Sequence, residues 1–559
     1  MKTKYILSSL LIMGAGLTSC SDFLDTTNLY EKDMNSYYNT EKDITEATAG
    51  VYNALFVGGI FSEEHMASEL MGDLLLGGGG TDDVEAHEVD AFKHTFVDTY
   101  KDLWVGTYNG ANRCNTIIEA VSSKEGFTEE FKNKTLGEIY FMRGFLYFTA
   151  AKFFGGMPLI LTTDADRTAP RATFEETFIQ IMSDMNEGVK LLPAMKASEV
   201  PASNWGHANK YVAEAMLARV FLYYTGYMTN IEGKATSSVT LLDGTTLDNS
   251  KVASYLKDVI DNSGYALVSD FRNLWPYSQV NKQSGTDVLP WAAKLGLEWV
   301  GQDGFNGPQG CNTETMFSKR YTTTDWNRGQ QYTNRFVLFT GVRDVAGAPF
   351  HQGWGWCTVH PAFVKSWSDD DPRKWGSILD LNDSEQAVSW NPNSGTQVTG
   401  YLNKKYQTLA VNGADGVKGL FYYLCGNSGV DMQTWHGQDF IYMRYADVLL
   451  MHSELTGDAT GLNAVRARAG LEPVAYSLDA LKEERLHEFA FEGIRWFDLV
   501  RWGDVANGKN FYGSECDVIN VGVPGKYSVS YRPEIKGLVS IPESEIALSN
   551  GVYEQNPGW

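Results

Sequence analysis

Two kinds of side chain in this sequence have spacings that suit chemistry on a polar ligand: closely spaced tryptophans and regularly spaced carboxylates. Trp354 and Trp356 stand in GWGWCTVH, residues 353–360, and a single glycine separates them. A tryptophan ring either covers the apolar face of a ligand or fills a core, and glycine supports neither helix nor strand. Either the core takes both rings, or one of them meets a ligand.

Carboxylates recur at regular spacing in the segment 478–503, and arginines accompany them. The glutamates are Glu484, Glu488 and Glu492, and the arginines are Arg485, Arg495 and Arg501. Residues four apart lie on one face of a helix, and two carboxylates at the correct separation hydrolyse a glycosidic bond. The interleaved charges favour a simpler interpretation, an ion-pair lattice that joins helices. We therefore expect a structural role for this segment.

A glycine-rich stretch, LLLGGGGTDD over 74–83, precedes an acidic run. It lacks the Lys-Ser/Thr of a P-loop and the spacing of a dinucleotide-binding loop, so we expect a mobile loop that binds no phosphate. The acidic residues are Asp82, Asp83, Glu85, Glu88 and Asp90. They offer oxygen ligands for structural calcium, but not in the order of an EF-hand, so a solvated acidic loop is favoured. The sequence contains no GxSxG, HExxH or Cys/His cluster, so no other metal or cofactor is predicted.

The whole chain has the composition of a folded, acidic protein. Its 559 residues are 43% hydrophobic, and their formal net charge is −23. Nucleic acid and anionic lipid surfaces both attract clustered Lys and Arg, so neither is expected as a partner of the folded body. Aromatic residues make up 13% of the chain and include 15 Trp, which is more than packing requires. A surface that grips flat ligands accounts for the excess.

The first 20 residues, MKTKYILSSLLIMGAGLTSC, predict export and lipid attachment. Lys2 and Lys4 precede an apolar run that is too short to span a bilayer, and small residues lead to Cys20. This order resembles a bacterial lipobox, in which residues 1–19 are removed and Cys20 carries lipid. The alternative is an ordinary cleavable signal that a cysteine happens to follow. Several acyl chains anchor a protein firmly, so we expect a soluble body tethered to a membrane.

Five cysteines remain beyond the lipobox. They are Cys114, Cys311, Cys357, Cys425 and Cys516. Because their number is odd and their spacings are wide, we expect packed free thiols rather than a disulfide framework or a zinc site.

Three regions follow the signal sequence, with boundaries at 20–230, 231–437 and 438–559. The first region is largely helical. Its segment 136–154 is apolar on several faces, which predicts a buried helix. The segment 209–227 carries an apolar stripe at helical spacing, and small residues alternate with aromatic ones there, as in tetratricopeptide helix pairs.

The two later regions differ from each other in composition. The second region is rich in Gly, Asn, Ser, Thr and Trp and contains two strand candidates, 287–297 and 419–426. Ligand-binding surfaces lie preferentially on such irregular segments when a rigid scaffold holds them. In the third region we expect three helices, at 440–455, 461–471 and 478–503, followed by an extended tail.

Several segments together resemble the SusD/RagB family of nutrient-binding outer-membrane lipoproteins from Bacteroidetes. In chain order the segments are CSDFLD, EIYFMRGFLYFTAAKFFGGMPL, NKYVAEAMLARVFLYY, YMRYADVLLMHSEL, LNAVRARAGL, ERLHEFAFEGIRWFDLVRWG and IPESEIALSNGVYEQNPGW. They extend from Cys20 to Trp559 in the order of the family. The resemblance implies one fused, mainly α-helical body, in which a scaffold of tetratricopeptide-like helix pairs carries a loop-rich, irregular portion with short strands.

The resemblance also implies a function. Proteins of this family are not enzymes. They are lipid-anchored on the exterior face of the outer membrane, bind polysaccharide or oligosaccharide, and act as a lid for a SusC-like TonB-dependent transporter. The RagB branch supplies an alternative, a lid that captures peptides. A third hypothesis is a surface glycosidase that uses Glu488 or Glu492.

The resemblance places a sugar-stacking ring at Trp354. In the starch-binding member of the family a GWS segment supplies a stacking tryptophan, and the helix after it aligns without gaps to GWGWCTVHPAFVKSW. Trp356 is a neighbouring candidate, with inward packing as the alternative. The starch-binding member has further tryptophans after its EL…D segment, whereas the loop after ELMGD has none here, which argues against starch. Asp73, the last residue of ELMGD, is a candidate acceptor for a sugar hydroxyl.

Three more candidates complete the predicted site. Trp275 and Trp299 lie in the loop-rich region, where family members place further aromatic platforms. Arg373, in DDPRKW, matches a family Asp-Pro-Arg motif and either contacts ligand or forms a salt bridge with a nearby carboxylate. Trp496 and Trp502 belong to the C-terminal helical signature and should pack in the core. Aromatic rings on the apolar sugar face and a few polar groups on the hydroxyl rim are the usual pattern of such a site.

Overall fold

Long helices form the first half of the chain, and short helices, short strands and loops form much of the second half. The computed structural model describes residues 37–56, 64–93, 98–166, 168–201, 204–302, 312–324, 329–425 and 431–559. Cys20 and the predicted signal sequence lie outside the described residues.

The fold is mainly helical, as expected. The helices are α1 (Glu41–Tyr52), α2 (Glu64–Met71), α3 (Val84–Asp90), α4 (Lys101–Ser123), α5 (Glu129–Phe154), α6 (Phe174–Leu191), α7 (Lys210–Asn230), α8 (Asn249–Asn262), α9 (Gln279–Ser284), α10 (Pro290–Lys294), α11 (Arg335–Thr340), α12 (Pro361–Ser366), α13 (Pro372–Ser377), α14 (Leu420–Leu424), α15 (Tyr445–Thr456), α16 (Ala459–Arg468), α17 (Leu478–Glu488), α18 (Arg495–Trp502), α19 (Asp504–Asn507) and α20 (Glu543–Leu548). Single 3₁₀ turns occur at Asn53–Leu55, Ala197–Glu199, Phe271–Leu274, Pro276–Ser278, Gln330–Tyr332, Ser384–Gln386 and Pro533–Ile535.

The strands are short and form small antiparallel sheets. They are β1 (Leu75–Gly78), β2 (Ser238–Thr240), β3 (Thr246–Asp248), β4 (Thr315–Lys319), β5 (Trp356–Val359), β6 (Ile378–Asp380), β7 (Tyr401–Asn403), β8 (Ala410–Gly413), β9 (Gly416–Gly419), β10 (Phe440–Arg444), β11 (Cys516–Asn520) and β12 (Val523–Tyr527). One sheet has four strands in the order β1-β5-β7-β6, and the pairs β2/β3, β4/β10, β8/β9 and β11/β12 form two-stranded sheets.

Helix α5 lies at the centre of the helical scaffold. It packs against α4 and α6, α6 packs on α7, and α7 contacts α8 and α18. The Thr128 hydroxyl caps the start of α5 by accepting from Phe131 N, and the helix ends at Gly155, whose φ of 76° halts the helical path. The predicted buried helix at 136–154 and the predicted helix at 209–227 lie within α5 and α7 and are confirmed.

A buried ion pair joins three scaffold helices. The Arg143 guanidinium on α5 donates from Nε and Nη2 to the Asp184 carboxylate on α6, both at 2.7 Å. Its Nη1 donates to Asn115 Oδ1 on α4 at 2.9 Å. A bidentate pair of this kind fixes the relative orientation of the helices as well as their distance.

One hydrophobic cluster extends through both halves of the chain. Its buried members begin at Ile44 and end at Tyr553, and they include residues of the loop-rich region such as Trp275, Trp356 and Leu402. The loops therefore share their core with the helical scaffold rather than packing around a core of their own.

The prediction of strands at 287–297 and 419–426 is wrong. Pro290–Lys294 and Leu420–Leu424 are single-turn helices, α10 and α14. Pro290 occupies the first helical turn, where its missing N–H costs little. A short apolar run does not distinguish a buried strand from a buried helical turn, because both bury side chains on every face.

The predicted helix at 440–455 consists of two elements. Phe440–Arg444 is strand β10, which pairs with β4 in the register Phe440↔Lys319, and helix α15 begins at Tyr445. The run FIYMR contains the aromatic and β-branched residues that strands favour. Because Arg444 is extended rather than helical, its side chain points into the interior where the glutamates of α17 lie.

The predicted helix at 478–503 is interrupted between α17 and α18. Phe491 and Gly493 have φ values of 67° and 73°, so the chain turns sharply at this point. Glu492 lies in the interruption and Glu488 ends α17, and both carboxylates reach the guanidinium of Arg444. The interruption lets two glutamates converge on one cation, which a continuous helix would not require.

The expectation of a mobile, solvated loop over 74–90 is wrong for most of its length. Leu75–Gly78 is the buried strand β1, paired antiparallel with β5 in the register Gly78↔Trp356. Asp90 is buried and accepts hydrogen bonds from Tyr527 Oη at 2.6 Å and Gly77 N at 3.2 Å. Burial raises the pKa of Asp90 to about 7. Within the described residues, no group of His, Cys, Asp and Glu is arranged to hold a metal ion.

A buried set of charges, here named the arginine–glutamate network, joins the loop-rich region to the C-terminal helices. Its members are Arg373, Lys405, Arg444, Arg468, Glu314, Glu484, Glu488 and Glu492. Arg444 donates to Glu488 Oε1 at 2.9 Å and to Glu492 Oε2 at 2.8 Å. Arg373 donates to the other oxygen of Glu488 at 2.9 Å, and Lys405 donates to Glu492 at 2.6 Å. These side chains are at most 3% exposed.

The ion-pair lattice expected at 478–503 is confirmed, but its pairing differs from the prediction. Arg485 donates to Asp498 at 2.8 Å and also pairs with Asp447. Arg501 donates to Asp498 at 2.8 Å and to Glu454 at 2.6 Å. The glutamates of this segment take their cations from other elements, because only a folded chain brings Arg373 and Arg444 beside them.

Two further sequence expectations concern membrane-spanning segments and the cysteine thiols. In the described part of the chain no helix has the length and apolarity needed to cross a bilayer. Cys114, Cys357 and Cys516 are buried free thiols, as expected, whereas the free thiol of Cys425 is exposed. Cys311 lies outside the described residues.

Removing one cation from the network should destabilise the protein strongly. In Arg444→Met the buried carboxylates of Glu488 and Glu492 lose their shared partner, so we expect the free energy of unfolding to fall by about 3–5 kcal/mol. Urea titration followed by circular dichroism measures the change. The matched control is Lys257→Met, which breaks an ion pair with Asp261 whose lysine is 58% exposed; its expected effect is at most about 1 kcal/mol. Equal losses in the two variants would contradict a dominant role for the network.

Two buried glutamates should give opposite dependences of stability on pH. Burial alone would raise the pKa of Glu488, but Arg468, Arg444 and Arg373 outweigh burial and hold the pKa well below its usual range. The folded state therefore binds this proton less readily than the unfolded chain does. The stabilisation that Glu488 contributes to the folded state is present above the ordinary glutamate pKa and is lost as the pH falls below that value. The stability difference between the wild type and Glu488→Gln should shrink in acid.

Glu69 on α2 should give the opposite dependence of stability on pH. Burial raises its pKa to about 8, although Gly493 N–H donates to it. Since the folded state holds this proton more firmly, the contribution is present at low pH and is lost as the pH rises to about 8. Glu69→Gln should therefore gain stability relative to the wild type between pH 5 and about 8, measured by urea unfolding at each pH. If stability changed with pH equally in the wild type and in Glu69→Gln, folding would not raise the pKa of Glu69.

Candidate functional site

Trp354 lies in a loop whose backbone is fastened to the end of helix α11. Gly353 N donates to Val342 O at 2.7 Å, Trp354 N to Leu338 O at 2.9 Å and Gly355 N to Gly341 O at 2.8 Å. Three consecutive backbone hydrogen bonds hold this loop as firmly as a strand pairing would. The loop then enters β5 at Trp356.

The two glycines of GWGW are required by close backbone contact. A Cβ atom on Gly353 would lie 2.4 Å from Gly341 Cα, and Gly355 has a φ of +72°. Only glycine permits both the contact and the left-handed conformation without strain. The glycines therefore fix the position of Trp354 rather than loosening it.

The indole of Trp354 is half-buried and is supported from one side. Its ring centroid lies 4.7 Å from that of Phe339 in an edge-to-face arrangement, and 6.4 Å from that of Trp356. The guanidinium carbon of Arg335 lies 5.7 Å from the indole centroid. Trp354 is half-buried, so part of the side chain reaches solvent, and its contacts with Phe339 and Arg335 hold the ring in place.

Trp356 and Cys357 lie in the core. Trp356 is 3% exposed and packs 4.8 Å from the Phe339 ring. A Cβ on Gly79, the residue directly after β1, would lie 2.6 Å from the indole Cδ1, so the lack of a side chain there makes room for this ring. Burial raises the pKa of Cys357 well above its usual value. The structure thus gives Trp356 the packing alternative and leaves Trp354 as the exposed member of the pair.

A shallow pocket of about 360 Å³, counting space that is open to solvent, lies beside the Trp354 loop. Its lining includes Arg343, Gly355, Trp390, Asn391, Ser394 and Tyr401, and we name it the Arg343 pocket. Trp390 and Tyr401 are half-buried, and Asn391 is exposed. Two rings beside an amide, a hydroxyl and a guanidinium give the mixture of apolar faces and hydrogen-bonding groups that small polar ligands require.

Arg343 connects the Arg343 pocket to Trp354. Its Nη1 donates to the Trp354 carbonyl at 3.1 Å, and its Nε donates to the Ser394 carbonyl at 2.9 Å. Asp83 Oδ2 lies 4.0 Å from Nη1 and offsets the cationic charge. Arg343 therefore connects the loop of Trp354 to the loop of Ser394, and its guanidinium has further N–H donors available for a ligand.

Sequence reasoning missed Trp390, Tyr401 and Arg343. Trp390 stands before NPNSGT, a cluster of turn-forming residues, and a tryptophan at the edge of such a cluster is the signal that could have identified it. Nothing in the sequence relates Arg343 to residues near 394. The contact arises from the four-stranded sheet, which brings β5 and β7 together.

Asp73 is not exposed to a ligand in this structure. Both oxygens accept from Arg495 at 2.8 Å, one of them also accepts from Phe511 N at 3.0 Å, and the residue is 4% exposed. The bidentate pair joins α18 to the chain just after α2. The expected hydroxyl acceptor is therefore a structural residue, because its lone pairs are already used.

Arg373 is likewise fully buried. It donates to Asp371 at 2.8 Å and to Glu488 at 2.9 Å and also pairs with Glu484. Burial would lower the pKa of Arg373, but Glu484, Asp371 and Glu488 raise it above its usual value. The structure favours the salt-bridge alternative over ligand contact. Arg373 thus occupies Glu488, and Arg444 and Lys405 occupy Glu492, so both carboxylates on which the glycosidase hypothesis depends are in buried ion pairs.

Trp275 and Trp299 lie together, but in an interior pocket of about 370 Å³ rather than beside Trp354. Trp275 is 1% exposed and contacts the rings of Phe271 and Tyr406. Trp299 is 6% exposed and packs against Phe421. Neither indole presents a face to solvent, so neither is placed as an open platform. Of the residues predicted for the site, Trp354 alone is not fully buried. Of the two other tryptophans expected in the core, Trp496 is fully buried and Trp502 is half-buried.

Comparison with known proteins identifies the class. One family profile, described as starch-binding and associating with the outer membrane, matches residues 22–222. A second, described as the SusD family, matches residues 313–559. Together they cover most of the chain, and the chain belongs to the SusD family. Proteins of this family bind glycans, associate with the outer membrane and are not catalytic.

Individual relatives agree with this assignment. A SusD-like protein of Bacteroides ovatus is 23% identical over 504 residues, which cover 87% of this chain and 80% of the relative. SusD-like protein P2 of Formosa agariphila is 24% identical over 580 residues, which cover 97% of each chain.

Solved structures confirm the fold. Surface glycan-binding protein A from Bacteroides fluxus has a TM-score of 0.69 and 22% identity, covering 93% of this chain and all of that one (100%). Surface glycan-binding protein A from Bacteroides thetaiotaomicron, in complex with laminarihexaose, has a TM-score of 0.68 and 20% identity, covering 92% and 99% of the two chains.

The two tryptophans of GWGW should differ in their effect on stability. Trp356→Ala removes a buried ring and should lower the free energy of unfolding by about 3–5 kcal/mol. Trp354→Ala truncates a half-buried ring in a loop that its backbone already holds, so its expected cost is about 1 kcal/mol. Urea unfolding of both variants measures the difference. A loss in Trp354→Ala as large as that in Trp356→Ala would show that Trp354 belongs to the core.

Proposed function

We propose that this protein captures a neutral polysaccharide or oligosaccharide at the outer surface of the cell. In this proposal one sugar ring stacks on Trp354, and the neighbouring unit enters the Arg343 pocket. The observation that carries the proposal is the half-buried indole of Trp354, held in a loop whose next residue, Gly355, lines a pocket with two further aromatic rings and several hydrogen-bonding groups.

The chemistry of the site suits a sugar. The indole face matches the C–H face of a pyranose, and the Asn391 amide and the Arg343 guanidinium suit its hydroxyl rim. The Arg335 guanidinium lies over the Trp354 ring, with its carbon 5.7 Å from the indole centroid, and adds a cation to the platform. Because Asp83 offsets Arg343 and the chain carries a formal charge of −23, a neutral glycan is favoured over a polyanion.

The relatives suggest a first ligand to test. One structural relative is named a laminarin-binding SusD-like protein, and another was solved with laminarihexaose. A β-glucan of this type is therefore the first probe, within a panel of neutral glycans. The absence of tryptophan from 74–90 argues against the starch-type cradle.

The cellular setting is also part of the proposal. Cys20 carries lipid and holds the protein on the exterior face of the outer membrane, and a SusC-like TonB-dependent transporter is the partner over which it acts as a lid. The lipobox and the family assignment support this setting. A peptide-capturing lid of the RagB type is the alternative, since aromatic rings and amides also bind peptides.

The binding test uses Trp354→Ala and Trp390→Ala. Each removes a ring that a sugar would contact, so we expect the dissociation constant for the glycan that binds best to rise by roughly 30-fold or more, about 2 kcal/mol. Calorimetry with laminarihexaose and affinity electrophoresis in gels containing laminarin, xyloglucan, mannan or starch measure the change.

The matched control is Trp375→Ala, which truncates another half-buried tryptophan outside the site. Its binding should equal that of the wild type. Retention of peptide mixtures with no retention of any glycan would favour the peptide-capturing alternative. Unchanged glycan binding in both site variants would place the platform elsewhere on the protein.

A further inference from the structure

A second and larger pocket lies on the helical scaffold and shares no lining residue with the Arg343 pocket. Its volume, counting space that is open to solvent, is about 760 Å³. Helix α4, Ile160 and the C-terminal segment around α20 form its walls. We name it the scaffold pocket and define it by Trp104, Tyr108, Asn109, Asn112, Glu545 and Tyr553.

Three aromatic rings form one side of the scaffold pocket. The Trp104 centroid lies 5.4 Å from that of Tyr108 and 5.8 Å from that of Tyr553. The Tyr108 hydroxyl donates to the Pro158 carbonyl at 3.0 Å, which fixes its half-buried ring. Rings that are already held in place lose little conformational freedom when a ligand binds.

Polar groups line the same pocket beside the rings and are available to a ligand. Asn109 and Asn112 are exposed, and their three-residue spacing puts both amides on one face of α4. Neither amide makes a hydrogen bond to another described residue, and each offers both donors and an acceptor. The partly buried carboxylate of Glu545 adds an acceptor to which no described residue donates.

The charge of the pocket selects its ligand. Glu545 is the one Asp, Glu, Lys, Arg or His among the lining residues of the scaffold pocket. Lys101 lies near enough to act on its charge, but a phosphate, sulfate or carboxylate ligand would meet the Glu545 carboxylate directly. Burial raises the pKa of Glu545 above its usual value, which disfavours an isolated charge at this point. A neutral ligand with several hydroxyl groups satisfies the amides and the carboxylate together.

We propose that the scaffold pocket is a second carbohydrate-binding site, which takes a neutral saccharide unit between the Tyr108 ring and the two asparagine amides. The proposal goes beyond capture at Trp354 and does not depend on it. A bound unit would place its apolar face on the ring of Tyr108 and its hydroxyls towards Asn109, Asn112 and Glu545.

The experiment detects binding in the scaffold pocket through the ¹⁹F resonance of Trp104. The protein is labelled with 5-fluorotryptophan, and the Trp104 resonance is assigned in the ¹⁹F spectrum by its absence from Trp104→Phe. Laminaribiose, cellobiose, maltose, mannobiose and chitobiose are then titrated to about 10 mM, which detects binding in the millimolar range. If Trp104→Phe does not fold, the resonance that Asn109→Arg displaces serves as the assignment.

We expect at least one disaccharide to shift the Trp104 resonance saturably, both in the wild type and in Trp354→Ala. Asn109→Arg should abolish the shift or weaken the affinity by roughly tenfold or more, because the longer side chain fills the pocket and pairs with Glu545. Asn133→Arg is the matched control, an exposed asparagine on α5, and should bind as the wild type does.

Two results would overturn the proposal. One is a Trp104 resonance that no disaccharide moves. The other is a shift that persists in Asn109→Arg. Since the readout is Trp104 and not glycan retention, failure here is distinguishable from failure of the Trp354 site.

Discussion

A glutamate buried among three arginines is the interaction on which the rest of the structure depends. Glu488 accepts from Arg373, Arg444 and Arg468, which come from α13, the end of β10 and the end of α16. Removing any one of these side chains leaves an uncompensated charge in the interior. The resulting loss of stability is larger than the stability that the ion pair adds relative to a hydrophobic replacement. The network therefore acts as an all-or-none requirement: segments distant in sequence must arrive together.

The network also reaches the candidate sugar platform through a short chain of contacts. Lys405 donates to Glu492 at 2.6 Å, and the carbonyl of the next residue, Tyr406, accepts from the Thr340 hydroxyl at 2.9 Å. Thr340 ends α11, and Gly341 directly after it accepts from Gly355 N at 2.8 Å. The loop that carries Trp354 is thus tied to the ionic interior within a few residues. This explains how a glycine-rich surface segment holds a defined shape.

The sequence allowed the class of fold to be predicted, but not the local geometry. The periodic stripe at 209–227 and the ordered family segments were sufficient for the helical scaffold. The strand β10 and the interruption near Phe491 were missed because both serve contacts with residues more than 40 positions away, such as Arg444 with Glu492. Short apolar runs at 290 and 420 carried no period that could separate helix from strand.

The candidate site was predictable in part, for a related reason. Trp354 is predicted because GWGWCTVHPAFVKSW aligns with a segment of the starch-binding member of the family, and its role in binding stays a prediction. The packing alternative given for Trp356 agrees with its burial. Asp73 and Arg373 occupy suitable positions in the sequence, but their polar atoms are consumed by Arg495 and by Glu488. A single sequence does not show whether a carboxylate lies at the surface or in a buried ion pair, because the residue type is the same in both cases.

The crossing of Gly353 over Gly341 has a consequence for binding energetics. A loop already fixed by three backbone hydrogen bonds and a glycine-only contact has little motion left to lose when a sugar arrives. Preorganisation of this kind keeps the entropic penalty of association small. Most of the favourable free energy of stacking would then remain available for affinity, so a single tryptophan could do the work for which a mobile platform would need several.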